Sequence, residues 1–169
     1  ASLNAKASPS SFFFNVPVDL DWSATPHRHQ TLRNLDIGKS LDLSTSNLSL
    51  EITFDSDEER QSNLLKKSKL EQGKRVIVYH PGAGKVQNRW EASRFTRVAN
   101  ILAHEFNAST AITSGPMDDE PVFEMVQLLT VPYSLIKGKS IREVAVILSS
   151  VDLVITNDTG VMHVAGAVG

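Results

Sequence analysis

The sequence predicts an α/β fold built on a Rossmann-like parallel sheet, and three observations support that class. From residue 74 onward, short apolar runs alternate with segments whose apolar residues recur at helical spacing. The apolar runs are continuous, which is typical of strands that helices cover on both faces. Polar, glycine-containing segments follow the runs, at the strand ends where open parallel sheets bind ligands.

The elements expected in residues 1–73 are shorter and more polar. We predict a strand over residues 12–18 and a short helix over residues 27–37. Alternation with polar residues predicts a half-buried strand formed by Leu48, Leu50, Ile52 and Phe54. Ser56 and Glu59 have capping-box spacing at the start of a second helix. This helix has few apolar positions, so we interpret it as a linker that lies on a surface.

Strands and helices alternate regularly after residue 73. We predict strands at residues 75–79, 110–113, 135–136 and 153–157. Apolar residues at i, i+3, i+4 and i+7 mark two helices, through Phe95, Val98, Ala99 and Leu102 and through Val122, Met125, Val126 and Leu129. Ser140 and Glu143 form a capping box for a third helix, and a last helix begins near Thr159. Right-handed crossovers then predict the strand order third, second, first, fourth.

The composition excludes several classes of protein and site. The formal net charge is -2 and charged residues make up 21% of the sequence, so a basic nucleic-acid surface is not expected. The sequence has no cysteine, and its histidines and carboxylates lack metal-ligand spacing. No apolar run reaches the roughly 18–20 residues of a membrane span, and no signal-peptide pattern is present. We expect a cytoplasmic protein whose membrane contact is at most peripheral.

The first candidate site is the segment of residues 80–85, directly after the first predicted strand. Its glycines would let the backbone approach a phosphate group closely. It is not a P-loop, because Tyr79 stands where that motif needs glycine and Val86 where it needs serine or threonine. It is not a dinucleotide fingerprint either, because Gln87 occupies the third glycine position. A tight turn without a ligand is the alternative interpretation.

The second candidate site lies between the fourth strand and the last helix, at residues 157–163. A helix N-terminus attracts anions, and here Thr159 adds a hydroxyl while Gly160 leaves room for a close approach. Asp158 would repel a bare phosphate, so a sugar hydroxyl or a cationic side chain is its expected partner. His163 follows one turn later and is expected to face the same site. The alternative is an ordinary helix cap followed by a core histidine.

The third segment, residues 113–120, follows the second strand and ends in Asp118, Asp119 and Glu120. Acidic residues at the start of a helix usually interact with its dipole, and this interpretation is favoured. A carboxylate that binds a ribose is the alternative, by analogy with doubly wound folds.

These segments together resemble family 9 glycosyltransferases. The matching pieces are VIVYHPGAGKVQNRW, AITSGPMDDE and LIKGKSIREVAVILSSVDLVITNDTGVMHVAGAVG, and the resemblance covers residues 74–169. It implies one half of a GT-B fold, with residues 1–73 as the end of an N-terminal acceptor domain and a linker, and residues 74–169 as a nucleotide-sugar-binding domain. Because such a sheet continues with further strands, we expect this chain to be incomplete at both ends and inactive alone.

The resemblance also implies the activity and its partners. Members of the family transfer heptose from ADP-heptose, the nucleotide-sugar donor, to a lipid-linked saccharide acceptor of lipopolysaccharide core. No tightly bound cofactor and no metal are implied. The presumed catalytic base belongs to the N-terminal domain, so no catalytic residue is assigned. A location at the inner face of the inner membrane would suit the acceptor.

By the same resemblance, ten residues of this chain are donor-binding candidates. Thr159 and Gly160 would hold the diphosphate, and Asp158 and His163 would contact the donor sugar or order the site. Lys137 and Gly138 would lie near the adenine. The cleft would be lined by Gly82, Ala83 and Gly84, with Asn88 nearby.

Two positions depart from the family pattern. Asn88 stands where a lysine usually meets the donor, two residues before Trp90, and Val161 stands where proline is common. The first departure leaves open a relative that uses another nucleotide sugar. Two alternative functions also stay open: a GT-B sugar-nucleotide epimerase-like enzyme, and a noncatalytic paralogue that binds a nucleotide sugar, which the missing lysine favours.

Overall fold

The computed structural model describes residues 23–39 and 41–169, which belong to two compact units of residues 1–49 and 50–169. The strand predicted at residues 12–18 lies outside the described residues. In the first unit, helix α1 spans Gln30–Lys39. It begins three residues later than predicted because His29 caps it, with Nδ1 accepting a bond from the Thr31 amide at 3.3 Å.

The strand predicted from the alternation at residues 48–54 is wrong, because that segment is fully described and has no regular structure. Leu48 and Leu50 are exposed, and none of the strands in residues 23–39 and 41–169 pairs with the segment. The Thr53 carbonyl instead accepts a hydrogen bond from the Arg142 guanidinium at 3.1 Å. Alternation alone therefore did not make a strand without a pairing partner among the described residues.

Helix α2 spans Ser56–Gln72, and its capping box lies one residue earlier than predicted. The Asp55 carboxylate accepts from the amides of Asp57 and Glu58 at 3.0 and 2.9 Å. The Glu58 carboxylate accepts from the Asp55 amide at 3.0 Å in return. Aspartate caps helices as well as serine does, so Asp55 takes the position expected for Ser56.

The second unit contains the predicted parallel sheet. Its strands are β1 (Arg75–His80), β2 (Ala108–Ser114), β3 (Tyr133–Lys137) and β4 (Leu153–Thr156). All pairs are parallel and the order is β3-β2-β1-β4, which confirms the prediction. Ile77 of β1 is opposite Thr110 on one side and Leu153 on the other, so β1 is a central strand.

Helices cover both faces of this sheet. They are α3 (Ala92–Phe106), α4 (Asp119–Leu128), α5 (Ile141–Leu148) and α6 (Gly160–Val168). Ile77 and Tyr79 of β1 pack with α3 and α4 in a cluster that includes Phe95 and Met125. Val78, between them in β1, faces the other way and packs with α5 and α6. The period of two along β1 therefore separates two apolar layers, as expected for a buried parallel strand.

The ends of three helices are explained by local sequence. The capping box predicted for α5 is confirmed, because the Ser140 hydroxyl accepts from the Glu143 amide and the Glu143 carboxylate accepts from the Ser140 amide. Thr159 caps α6, with its hydroxyl accepting from the Val161 amide at 3.1 Å. Asn107 ends α3 in the left-handed region with φ 50°, a conformation that asparagine tolerates.

Helix α2 is attached to α5 by polar groups. The Ser62 and Ser149 hydroxyls are 2.8 Å apart, and the Arg142 guanidinium pairs with the Glu58 carboxylate. Hydrogen bonds from Arg142 lower the pKa of Glu58 to about 2. In residues 23–39 and 41–169, no helix combines the length and apolar character needed to cross a membrane.

Candidate functional site

The candidate site lies at the carboxyl-terminal edge of the sheet, where β1 and β4 are neighbours. The chain leaves β1 towards β2 on one side and returns from β3 to β4 on the other, so this is the topological switch point. Open parallel sheets bind ligands in the crevice at such a point. The segment after β1, residues 81–90, and the segment after β4, residues 157–160, meet here.

A buried amide joins these two segments. The Asn157 Oδ1 atom accepts from the Trp90 amide at 2.9 Å, and its Nδ2 atom donates to the carbonyls of Pro81 at 2.8 Å and Gly82 at 3.3 Å. The amide orientation is determined, because a backbone N–H can only donate and a carbonyl can only accept. Asn157 is therefore bonded to both arms of the loop that follows β1.

A second buried cluster lies behind the same loop. His80 Nδ1 is 3.0 Å from the Thr113 hydroxyl, and its Nε2 atom is 3.7 Å from the Asp118 carboxylate. All three side chains are buried. Burial lowers the pKa of His80 and outweighs the opposing effect of the Asp118 charge. The Asp118 carboxylate also accepts from the Gly115 amide at 2.7 Å, so it fixes the turn after β2.

The three residues predicted to line the cleft are placed differently from one another. Gly82 is buried against Asp118, and a Cβ atom there would lie 2.7 Å from Oδ2 and closer still to Oδ1 and Cγ. Ala83 is buried, and its carbonyl accepts from Arg89 Nε at 3.0 Å. Gly84 is exposed, with no atom within 4 Å of a Cβ built on it. Of the two glycines, only Gly82 has no room for a Cβ atom.

The helix N-terminus after β4 is open to solvent. A Cβ atom built on Gly160 would meet nothing within 4 Å, and Asp158 and His163 are exposed. The Thr159 hydroxyl is already engaged in capping α6. Across the switch point, Asn88 Nδ2 donates to the Asp158 carboxylate at 3.4 Å. The structure thus brings together Asn88, Asp158, Thr159 and Gly160, next to Gly82 and Ala83.

Lys137 and Gly138 lie elsewhere on the same edge, at the end of β3. Lys137 Nζ pairs with the Asp119 carboxylate at 2.7 Å, and Gly138 has φ +70°, which favours glycine. Three strand spacings separate β3 from β4, or about 14 Å. Neither residue contacts the cluster around Gly160, and their role near an adenine stays a prediction.

Several residues that organise the site were not assigned that role from the sequence. Asn157, His80 and Asp118 stood inside the candidate segments, but the bonds of Asn157 and His80 reach residues 33 to 76 positions away, and Asp118 lies beside His80, 38 positions earlier. Asp118 was interpreted as a dipole partner of α4, yet its side chain makes no capping bond and faces Gly115 and His80 instead. Among residues 23–39 and 41–169, no group of three metal-ligating side chains is close enough to hold a metal ion.

The fold defines a class, the Rossmann-like parallel α/β domains, and it places a helix N-terminus at the switch point of the sheet. Within that class, the chain belongs to glycosyltransferase family 9 (heptosyltransferase), whose family model matches residues 4–169.

Three known proteins illustrate what this chain is similar to. A Haemophilus influenzae protein, lipopolysaccharide core heptosyltransferase OpsX, is 28% identical over 98 residues, which are 55% of this chain and 27% of that protein. The crystal structure of a family 9 glycosyltransferase from Veillonella parvula is 26% identical with a TM-score of 0.72, covering 90% of this chain and 43% of that one. E. coli heptosyltransferase WaaC with ADP is 16% identical with a TM-score of 0.61, covering 98% and 50%. The chain therefore spans from about a quarter to half the length of these relatives.

Proposed function

We propose that this chain is the donor-binding part of a glycosyltransferase that transfers heptose from ADP-heptose to lipopolysaccharide core. The observation that carries the proposal is the open N-terminus of α6 at the switch point of a family 9 sheet. The relative OpsX is named for heptosyl transfer to lipopolysaccharide core, and WaaC has been crystallised with ADP and with ADP-2-deoxy-2-fluoro heptose. These names support the proposed donor and acceptor.

The geometry suits a nucleoside diphosphate at α6. Amide N–H groups and the positive end of the helix dipole favour a phosphate there, and the absence of a side chain at Gly160 allows it to approach the backbone. The Asp158 carboxylate is exposed beside this position, where it would accept a hydrogen bond from a hydroxyl of the donor sugar. A lipid-linked acceptor would bring the protein to the inner face of the inner membrane as a peripheral protein. We assign no catalytic base to this chain.

Asn88 is the observation that favours a second candidate, a noncatalytic relative. Its amide bonds to Asp158 instead of supplying the positive charge expected at this position. The neighbouring Arg89 is engaged with the Ala83 carbonyl and lies 3.5 Å from the Glu120 carboxylate, so its charge is directed away from α6. Lys85, which is exposed in the same loop, is the remaining cation that we propose for the donor phosphates.

Calorimetric titration of the full-length protein with ADP tests the proposal. Gly160→Val should weaken ADP binding about tenfold or more, since a charge-assisted backbone hydrogen bond is worth roughly 1.5–3 kcal/mol. Gly166→Val is the matched control, because it changes the same helix at another glycine with open space around it. Equal affinities of the two variants would exclude α6 as the diphosphate site.

The nature of the nucleotide separates the candidate functions. ADP should bind more tightly than UDP or GDP if the donor is ADP-heptose. A preference for UDP would support the epimerase-like alternative, and donor binding without heptose transfer to a lipopolysaccharide acceptor would support the noncatalytic one.

A further inference from the structure

We propose that Asn157 is a positioning residue that sets the shape of the nucleoside diphosphate pocket, an inference that rests on the proposed function. The residue is 6% exposed, and its side chain bonds three backbone groups, those of Pro81, Gly82 and Trp90. These groups belong to the two arms of one loop, before and after the short 3₁₀ turn Val86–Asn88. One amide therefore determines how far this loop stands from α6.

The chemistry of the three contacts requires an asparagine. The position needs one acceptor for the Trp90 amide and, on the same planar group, a donor with two protons for the two carbonyls. Aspartate has the same shape, but its carboxylate would face the oxygens of Pro81 and Gly82 and repel them. Alanine would leave the three groups without their partner, which is costly for buried polar atoms.

The position of Asn157 in the chain connects this bond network to the ligand. The next three residues are Asp158, Thr159 and the open Gly160 at the start of α6. Asn88, two residues before Trp90, also donates to Asp158 across the same gap. The loop and the helix N-terminus are thus held together at two points, one buried and one exposed, around the proposed diphosphate.

The apolar core of the sheet does not depend on this amide. The buried cluster around Tyr79, Phe95 and Met125 is formed by β1, β2, α3 and α4. Loss of the Asn157 bonds should therefore loosen the loop and weaken ligand binding while the sheet stays folded. Because small misplacements of binding groups have large effects, we expect the donor KM to rise more than kcat falls.

The test compares Asn157→Asp with Asn100→Asp in the full-length protein. Asn100 is the matched control because its Oδ1 accepts from the Thr130 amide at 3.1 Å, a bond that aspartate can keep. We expect Asn157→Asp to raise the Kd for ADP about tenfold at pH 8, relative to wild type, with no change in the control. At pH 5.5 the ratio of the variant's Kd to the wild-type Kd should shrink, because the protonated carboxyl of the variant can again donate a hydrogen bond to one of the two carbonyls. An equal Kd in both variants would overturn the proposal.

Hydrogen exchange separates this proposal from the proposed function. Asn157→Asp should speed exchange in residues 82–90 while the strands β1 and β2 stay protected. If wild type binds no nucleotide but exchange in this loop still accelerates, Asn157 positions the loop and the proposed function fails. If the loop exchanges as in wild type, the positioning role is wrong whatever the nucleotide result. Loss of protection through the whole sheet, in this variant and in the milder Asn157→Ser, would also overturn it.

Discussion

From the contact between Gly82 and Asp118 we predict how much a larger side chain at position 82 lowers the free energy of unfolding. In Gly82→Ala, the new methyl group would lie 2.7 Å from Asp118 Oδ2 and closer to Oδ1 and Cγ, so the buried carboxylate must move. It would then lose its bond to the Gly115 amide, now 2.7 Å long, and its place beside His80. The substitution should therefore destabilise the folded state without touching the sheet itself.

The expected size of this effect follows from three contributions. Overpacking costs about 1–3 kcal/mol, and the partly buried Gly115 amide left without its acceptor costs about 1–2 kcal/mol more. Alanine also reduces the conformational entropy of the unfolded chain, which stabilises the folded state by about 0.4–1 kcal/mol where φ is not positive. Gly82 meets this condition, because its φ is not positive. We expect a net loss of about 2–4 kcal/mol, or a fall in Tm of several degrees.

Urea denaturation and thermal melts of matched variants measure this loss. Gly84→Ala is the control, since a Cβ atom there meets nothing within 4 Å, and it should be neutral or slightly stabilising. In Gly82→Ala with Asp118→Ala, the methyl group occupies the vacated space, so the double variant should cost at least about 1 kcal/mol less than the sum of the two single changes. Equal stability of Gly82→Ala and Gly84→Ala would refute the packing argument.

Three further perturbations probe pH, capping and charge. Burial lowers the pKa of His80, so on acidification the unfolded chain binds a proton that the folded chain does not. The free energy of unfolding should therefore keep its full value above about pH 6.5 and fall as the pH is lowered below it. His80→Asn should flatten this fall in urea titrations at pH 7.5 and 5.5, and an unchanged slope would contradict the assignment. Ser140→Ala should cost about 1 kcal/mol and lower Tm by a few degrees through loss of the α5 cap, and an unshifted melting curve would show the cap to be unimportant. Asn88→Lys should tighten ADP binding by about 1 kcal/mol, with a smaller gain at high salt. If Asn88→Lys leaves ADP affinity unchanged while Lys85→Ala weakens it, Lys85 already supplies the charge.

The part of the fold that sequence predicted best is the part decided by local pattern and chain topology. The four strands of the sheet and their order follow from continuous apolar runs joined by helices, because parallel strands require crossovers of one hand. The alternation at residues 48–54 has the pattern of a strand, but the segment pairs with none of the strands that the structure describes. The shift of the α2 cap from Ser56 to Asp55 shows that two good capping residues in a row leave a boundary undecided.

In the candidate site, too, the residues predicted from the sequence are those whose role depends on local sequence. Thr159 and Gly160 could be proposed from their position before a predicted helix, since the properties of a helix N-terminus are local. The roles of Asn157 and Asp118 depend on contacts with residues that only the folded sheet brings near, and neither has a distinctive spacing. His80 is likewise identified as a buried titrating group only after β2 is placed beside β1.

The polar attachment of α2 to α5 gives this domain a part that solvent conditions can loosen separately. The contacts described there are hydroxyls and the exposed Arg142–Glu58 pair, with a further pair between Lys69 and Asp152 at 3.0 Å. Salt screens such charges, and acid protonates Glu58 once the pH approaches its lowered pKa of about 2. The apolar layers on either side of β1 respond to neither condition in this way. We therefore expect ionic strength to loosen the helix that leads into the sheet, as a separate unit of local unfolding, before it disturbs the sheet itself.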